Sequence, residues 1–201
     1  MVISDADPET LDVYTKSANQ YQNFLGPGPE LNFLEKFTKK LKSEARILDL
    51  GCGTGYYADK MRDSGFSVEC WDATPEMVKI AKNTYGLNAQ VARFSDLSDE
   101  GIYDGIWANF SLLHAPRNHM PSLLSAIHKA LKPQGIVHIA LKLGKGESRD
   151  RLGRFYAYYN EREILQLLAN AGFEVIQKSK GRSKGLAGTL DPWIILLGSA
   201  I

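Results

Sequence analysis

Arg46-Ile47-Leu48-Asp49-Leu50-Gly51-Cys52-Gly53-Thr54-Gly55 is the stretch that decides how this 201-residue chain folds. Its apolar run, Ile47 to Leu50, predicts a strand buried on both faces, as in a parallel sheet covered by helices. Three alternating glycines follow, and the pattern then predicts a helix over 57–62. Glycine is needed where a chain reverses sharply or where backbone must lie flat against a ligand. Strand, glycine turn and helix in that order predict a cofactor cradle in an open α/β sheet.

The glycine spacing narrows the cofactor. A dinucleotide fingerprint requires Gly-x-Gly-x-x-Gly, and counting from Gly51 the third glycine position holds Tyr56. Asp49, two residues before Gly51, is a poor neighbour for a pyrophosphate, because a fixed negative charge suits a cationic ligand end. S-adenosylmethionine has such an end, an ammonium beside a sulfonium, and carries no phosphate. A nicotinamide dehydrogenase on a similar sheet is disfavoured by the same two residues, Tyr56 and Asp49.

Working outward, the alternating run from Phe66 to Trp71 predicts a second strand with Asp72 at its end. Asp72 follows Gly51 by about the 20 residues at which such a unit places its ribose-binding acid. One carboxylate there can accept both ribose hydroxyls; the plainer role is a cap before Pro75. Pro75 suits the first position of a helix running through Tyr85. Residues 88–92 predict strand three and 103–109 strand four. Ligands gather at the carboxyl ends of such strands, which brings Asn109, Phe110, Ser111 and His114 to where chemistry would occur. His114 is the best-placed side chain to titrate near neutral pH and is the candidate catalytic base; the plainer role is a backbone-bonded histidine.

The remaining chain reads as ordinary elements. Residues 11–25 predict a helix ended by Gly26-Pro27-Gly28-Pro29. A helix from Pro121 buries Leu124, Ile127 and Leu131, and Pro133-Gln134-Gly135 turns it into a strand over 136–141. Residues 144–153 predict a polar loop, and the aromatics from Phe155 to Tyr159 either cap a substrate pocket or pack in the core. Residues 161–171 predict a helix stopped by Gly172. Two final strands, 173–178 and 193–197, are separated by a loop that includes Gly181 to Gly188.

Five ordered blocks, ILDLGCGTG, CWDATPEMVKIAK, YDGIWANFSLLH, ALKPQGIVHIALK and AGFEVI, resemble those of the class I S-adenosylmethionine-dependent methyltransferases. The runs WANFSLLHAPR and GRFYAYYNEREI are more similar to small bacterial, tellurite-resistance-like members. The resemblance implies a Rossmann-like α/β fold, a seven-stranded mostly parallel sheet with helices on both faces and an antiparallel last strand. It implies one methyltransferase domain over 1–201, with 1–45 as a helical lid and 46–201 as the core. It further implies that Tyr14 and Tyr21 close over the cofactor, against plain packing of that helix. Ala73 and Met77 would pack on the ribose and adenine, with Asp49, Gly51 and Gly53 in the cradle and S-adenosylhomocysteine as product. Phe94, Ser95 and Asp96 occupy the adenine position, where either the Asp96 side chain or the Phe94 backbone would take the amino hydrogens.

Composition sets the bounds. Hydrophobic residues at 44%, charged residues at 23% and a net charge of +1 suit a globular chain with no electrostatic drive toward a polyanion. The expected acceptor is therefore a small molecule, neither nucleic acid nor membrane. A tRNA-modifying methyltransferase and a non-catalytic S-adenosylmethionine-binding module are the alternatives. Lys178, Lys180, Arg182 and Lys184 are read as a solvated basic loop far from the reacting centre, and the pocket segments as poor in cations. His119, His128 and His138 lack metal-ligand spacing and are read as structural, with no metal expected. Cys52 and Cys70 are read as reduced thiols. The opening residues lack a signal-peptide pattern, so a cytoplasmic location is expected.

Overall fold

The computed structural model describes residues 6–24 and 30–201, so the Gly-Pro run predicted to end the first helix lies outside the described residues. Two helices, α1 (Pro8–Phe24) and α2 (Glu30–Thr38), precede the sheet. Then come β1 (Arg46–Leu50), α3 (Tyr56–Asp63), β2 (Ser67–Asp72), α4 (Pro75–Tyr85), β3 (Asn88–Val91) and β4 (Tyr103–Asn109). The second half runs α5 (Met120–Ala130), β5 (Leu131–Lys142), β6 (Glu147–Arg149), β7 (Phe155–Ala157), α6 (Glu161–Asn170), β8 (Phe173–Lys184) and β9 (Leu190–Ala200).

Among the described residues, seven strands form one sheet in the order β3-β2-β1-β4-β5-β9-β8. The first five are parallel, and β9 runs antiparallel to both β5 and β8. The chain thus adopts the Rossmann-like α/β fold its blocks imply. β1 lies at the centre because its side chains are apolar on both faces: Ile47 and Leu48 are fully buried. Alternate residues feed two cores. Leu48, Leu50, Ile106 and Ile139 pack with α5 and α6, whereas Ile47, Cys70 and Trp107 pack with α2, α3 and α4. Truncating a core side chain such as Leu48 to alanine costs about 2–5 kcal/mol.

Local chemistry sets the helix ends. Pro75 opens α4 behind Thr74, and Gly86, at φ 65°, closes it. Asn160 accepts the Glu163 amide at 2.9 Å and Glu163 reaches back to Asn160, a capping box that starts α6.

Three expectations are corrected. Leu131 belongs to β5, pairing with Tyr103, and the Pro133-Gln134-Gly135 turn appears as a register shift within that ladder. The polar loop over 144–153 contains β6, which pairs with β7 in a separate hairpin. The last two strands run far longer than their apolar runs, leaving only 185–189 as the turn. β8 is an edge strand whose polar residues alternate outward, so Lys178, Lys180, Arg182 and Lys184 are strand residues, not loop residues. Glu161 binds Lys178 and Lys180 at 2.6 Å each.

Candidate functional site

Two adjoining chambers open at the carboxyl ends of β1, β2, β4 and β5. They share Tyr14, Tyr21, Gly51, Asn109 and Phe110. The outer chamber adds Asp72, Ala73, Met77, Phe94, Ser111 and His114. The inner one adds Asp49, Tyr57, Trp107, Lys142, Arg154, Tyr156 and Trp193, with the β8–β9 tip at 183–186.

The floor is the glycine turn. The Gly51 and Cys52 amides both donate to the Trp71 carbonyl, at 2.8 and 2.9 Å, strapping the turn to β2. Gly51 has φ +83°, and a Cβ there would stand 2.3 Å from the Ser111 Cβ, so no other residue fits. Gly53, at φ +54°, would aim a Cβ at Tyr21, 3.3 Å away. Asp72 clasps this turn to the head of α4: Oδ2 accepts the Gly53 amide and Oδ1 the Thr74 amide, each at 2.8 Å. A carboxylate offers about four acceptor positions, so with the two amides and the Thr74 hydroxyl bonded to it Asp72 still keeps capacity for a ligand hydroxyl. Burial raises the Asp72 pKa, and those two amides oppose the rise.

Asp49 is only 2% exposed, and its Oδ2 has no hydrogen-bond partner. Burial first, then the charge of Asp72, push its pKa well above 3.8. An unpartnered carboxylate in a protein interior is costly, and a ligand cation beside it would offset that cost. Asn109 accepts the Nε2 hydrogen of His138 at 3.0 Å, which leaves its amide nitrogen as the group available to a ligand. His138 stacks on Trp107 with centroids 3.5 Å apart, and burial pulls its pKa down to about 3. Phe110 holds φ +53°, a left-handed conformation unusual for a phenylalanine, where the chambers meet.

Helix α1 forms the roof. Asp7 caps it through the Thr10 amide at 2.8 Å and binds Arg149 of β6 at 2.8 and 2.9 Å. The Thr10 hydroxyl accepts the Phe155 amide at 2.8 Å. Inside, the Tyr14 hydroxyl meets His114 Nε2 at 2.9 Å, and Arg154 donates to that hydroxyl at 3.0 Å. His114 Nδ1 lies 2.7 Å from the Phe155 carbonyl, which can only accept, so Nδ1 carries the hydrogen. The bonds therefore run in one direction, from Arg154 through Tyr14 and His114 to the Phe155 carbonyl. The enclosing protein pulls the His114 pKa down to about 4, against the pull of the Phe155 carbonyl. The expectation that His114 titrates near neutral pH is corrected: it stays neutral there, and Tyr14 occupies its lone pair.

Of the candidate cofactor residues, the structure gathers Tyr14, Tyr21, Asp49, Gly51, Gly53, Asp72, Ala73, Met77, Phe94 and Asn109 around the chambers. Ser95 and Asp96 lie outside them and are exposed; the Asp96 carboxylate accepts the Arg93 amide at 2.8 Å. Residues 110–114 and 155–159 carry no lysine or arginine, but Lys142 and Arg154, from outside those segments, stand in the inner wall. The remoteness of the basic segment is corrected, because Ser183 and Lys184 reach that wall. Sequence reading missed Lys142, Arg154 and Asp191 because each belongs to a different late segment. Lys142 closes the ALKPQGIVHIALK block and Arg154 lies in the GRFYAYYNEREI run, but nothing local marks either as a wall of the site.

The profile of the methyltransferase domain family matches residues 20–178. An uncharacterized methyltransferase of Staphylococcus carnosus is 24% identical over 166 residues, 79% of each chain. A ubiquinone biosynthesis O-methyltransferase of Xanthomonas oryzae is 30% identical over 139 residues, 62% of this chain and 57% of that one. The chain thus spans little more than half the length of that curated relative. Among solved structures, the Burkholderia thailandensis 1,6-didemethyltoxoflavin-N1-methyltransferase, with its namesake ligand and S-adenosylhomocysteine bound, shares the fold. Its TM-score is 0.77 at 20% identity, covering 96% of this chain and 87% of that one. The fold and cradle define a class I nucleoside-cofactor enzyme. The chain belongs to the methyltransferase domain family, whose cofactor is S-adenosylmethionine.

The residues present fit that cofactor. Asp49 offers the unpartnered Oδ2 of a buried carboxyl group for an ammonium, Asp72 keeps acceptor capacity for a ribose, and Met77 and Phe94 give apolar surface for a purine. Among the described residues, no helix is long and apolar enough to cross a membrane.

Proposed function

We propose that this enzyme transfers a methyl group from S-adenosylmethionine to a compact small-molecule acceptor bound in the inner chamber. The observation that carries this reading is Asp49: a buried carboxyl group whose Oδ2 has no hydrogen-bond partner, lining a chamber walled by Tyr57, Trp107, Tyr156 and Trp193. A bound cofactor would supply a methyl group on a cationic sulfur, with a neutral thioether as the leaving group. The chain's part is alignment and exclusion of water. Asp49 and the Asn109 amide nitrogen hold the amino-acid end, and Asp72 holds the ribose. The Phe94 and Met77 side chains flank the base, and the Phe94 backbone is the better candidate for its amino group because Asp96 is turned outward.

In the same reading residues 1–45 act as a lid on a core over 46–201, with Tyr14 and Tyr21 closing the roof. The bonds from Asp7 and Thr10 to the β6–β7 hairpin support this division. With the His114 lone pair occupied by Tyr14, the acceptor brings its own available lone pair into the chamber, as an anion or as a neutral nucleophile. Enclosure by α1 favours a small acceptor over tRNA. Two free, buried thiols support a cytoplasmic setting.

Calorimetry with S-adenosylmethionine and S-adenosylhomocysteine tests the reading, paired with methyl incorporation into small thiols, phenols, ring nitrogens and bulk tRNA. Binding of both cofactor forms, and turnover confined to small molecules, is expected. Absence of cofactor binding by the folded protein, or turnover of tRNA alone, overturns it.

A further inference from the structure

The inner chamber separates charge along its length. Asp49 lies on β1 at the level of His138, through the register Asp49–Trp107–His138. Lys142 stands further along β5, about 13 Å beyond that level toward the carboxyl ends. The carboxylate is therefore deep and the ammonium is at the acceptor end. The Lys142 side chain is 11% exposed, and its Nζ lies 4.0 Å from the Tyr156 ring centroid.

The two buried cations of this wall differ in what remains open to a ligand. Arg154 is committed: Nε and Nη2 donate to Asp150, at 3.0 and 2.7 Å, and Nη1 to Tyr14. Lys142 has three donors and one oxygen partner, Asp191 Oδ2 at 2.6 Å, which also accepts the Thr189 hydroxyl at 3.0 Å. A largely buried ammonium sharing one carboxylate oxygen is under-satisfied, and a second anion is the group that completes it. The surrounding walls are flat and aromatic: Tyr156 beneath Lys142, and Trp193 paired with it in the β5–β9 ladder. Such walls take a planar ligand by stacking.

We propose that the inner chamber selects a planar acceptor bearing an acid group, held by Lys142, with the Asp191 pair as its resting partner. This rests on the chain binding S-adenosylmethionine and methylating a small molecule. The acid group sits on Lys142 at the outer end, and the acceptor's nucleophilic edge points inward to the cationic end of the cofactor site above Asp49. Opposite charges at the two ends fix which way round the acceptor enters.

The test uses the full chain saturated with S-adenosylhomocysteine and three matched probe pairs: 4-hydroxybenzoate with its amide, indole-3-acetate with its amide, and nicotinate with nicotinamide. Isothermal titration calorimetry reads binding. At least one carboxylate is expected to bind tenfold or more tightly than its amide, a preference lost in Lys142→Met and kept in Lys142→Arg. Lys142→Met/Asp191→Leu removes both charges, and so reports the lost preference without stranding Asp191. Cofactor affinity in both variants is expected within threefold of wild type. Equal binding within all three pairs overturns the proposal, as does a preference that survives Lys142→Met. A tenfold loss of cofactor affinity in Lys142→Met also overturns it, by assigning Lys142 to the cofactor's own carboxylate. Failure of S-adenosylhomocysteine to bind wild type removes the underlying functional reading instead.

Discussion

The outer chamber is held by backbone and the inner one by side chains. Around the outer chamber the Gly51, Cys52, Gly53 and Thr74 amides each have a fixed partner, and all lie within β1, β2 or the turns that follow them. The inner chamber draws Lys142 from β5, Arg154 from the start of the β7 segment, Asp191 from β9 and Ser183 from β8. The first is therefore one motif with one geometry. The second is an assembly in which single side chains can change without disturbing the fold, as suits a site that sets the choice of acceptor.

The sharpest way to break the contrast is Gly51→Val. The left-handed φ costs a β-branched residue about 1–3 kcal/mol, and the overlap with Ser111 adds about 1–3 more. At 2–4 °C per kcal/mol for a chain of this size, Tm is expected to fall by about 5–20 °C, with cofactor binding lost. Lys142→Met/Asp191→Leu, which strands neither charge, should leave Tm nearly unchanged. A Gly51 variant that melts and binds like wild type removes the rigid-cradle half of the comparison.

Asp49→Asn separates binding from stability within the cradle. Asp49 has a raised pKa in the folded protein, so the folded state binds more protons than the unfolded one above 3.8. Its contribution is fully present below that value and is lost as pH rises through the folded value. Asparagine removes that loss, so Tm at pH 7 is expected to rise while affinity for S-adenosylmethionine falls tenfold or more. Thermal melts and calorimetry on one sample decide it; a lower Tm with unchanged affinity contradicts the role of Asp49 as the cofactor's counter-charge.

The same contrast explains what the sequence made legible. Strands β1 to β4, and the places of Gly51 and Asp72 at the ends of β1 and β2, could be read because each rests on a local pattern of apolar runs, glycines and proline. The Asp96 side chain could not be assigned from its position alone, since its outward turn depends on a hydrogen bond to Arg93. The β8–β9 hairpin was hidden because Lys178 to Lys184 alternates polar and small residues with little apolar signal. It pairs only because Trp193 to Leu197 supplies a partner from the other side. The Arg154–Tyr14–His114 series joins α1, the β7 strap and the segment after β4, and no local pattern announces such a convergence.

That series predicts an acid-side loss of stability. His114 falls from 6.5 in the unfolded chain to about 4 when folded, and His138 to about 3. For a base whose folded value is depressed, stability is full above 6.5 and is lost as pH falls below it, until the folded value is passed. His114 alone accounts for about 3 kcal/mol of that loss over the full range, of which about 2 kcal/mol falls between pH 7 and pH 5. Urea unfolding of wild type at pH 7 and pH 5 is expected to show the drop, and His114→Gln to flatten part of it. An unchanged slope in the variant places His114 in contact with solvent rather than sealed beneath Tyr14.

The smallest effect is expected where basic residues are most visible. Lys178 and Lys180 are exposed on β8 and both bind Glu161, whose carboxylate they hold down to a pKa of about 2. Their charge is partly neutralised in place, and exposed pairs of this kind contribute little to stability. Lys142, by contrast, is enclosed with one carboxylate oxygen for company. Lys178→Ala/Lys180→Ala is expected to leave Tm, cofactor affinity and small-molecule turnover unchanged. Bulk tRNA should bind neither wild type nor variant in a manner that weakens steeply with salt. Steep, salt-sensitive tRNA binding that the double variant loses would move acceptor recognition from the enclosed chamber to the outer face of β8.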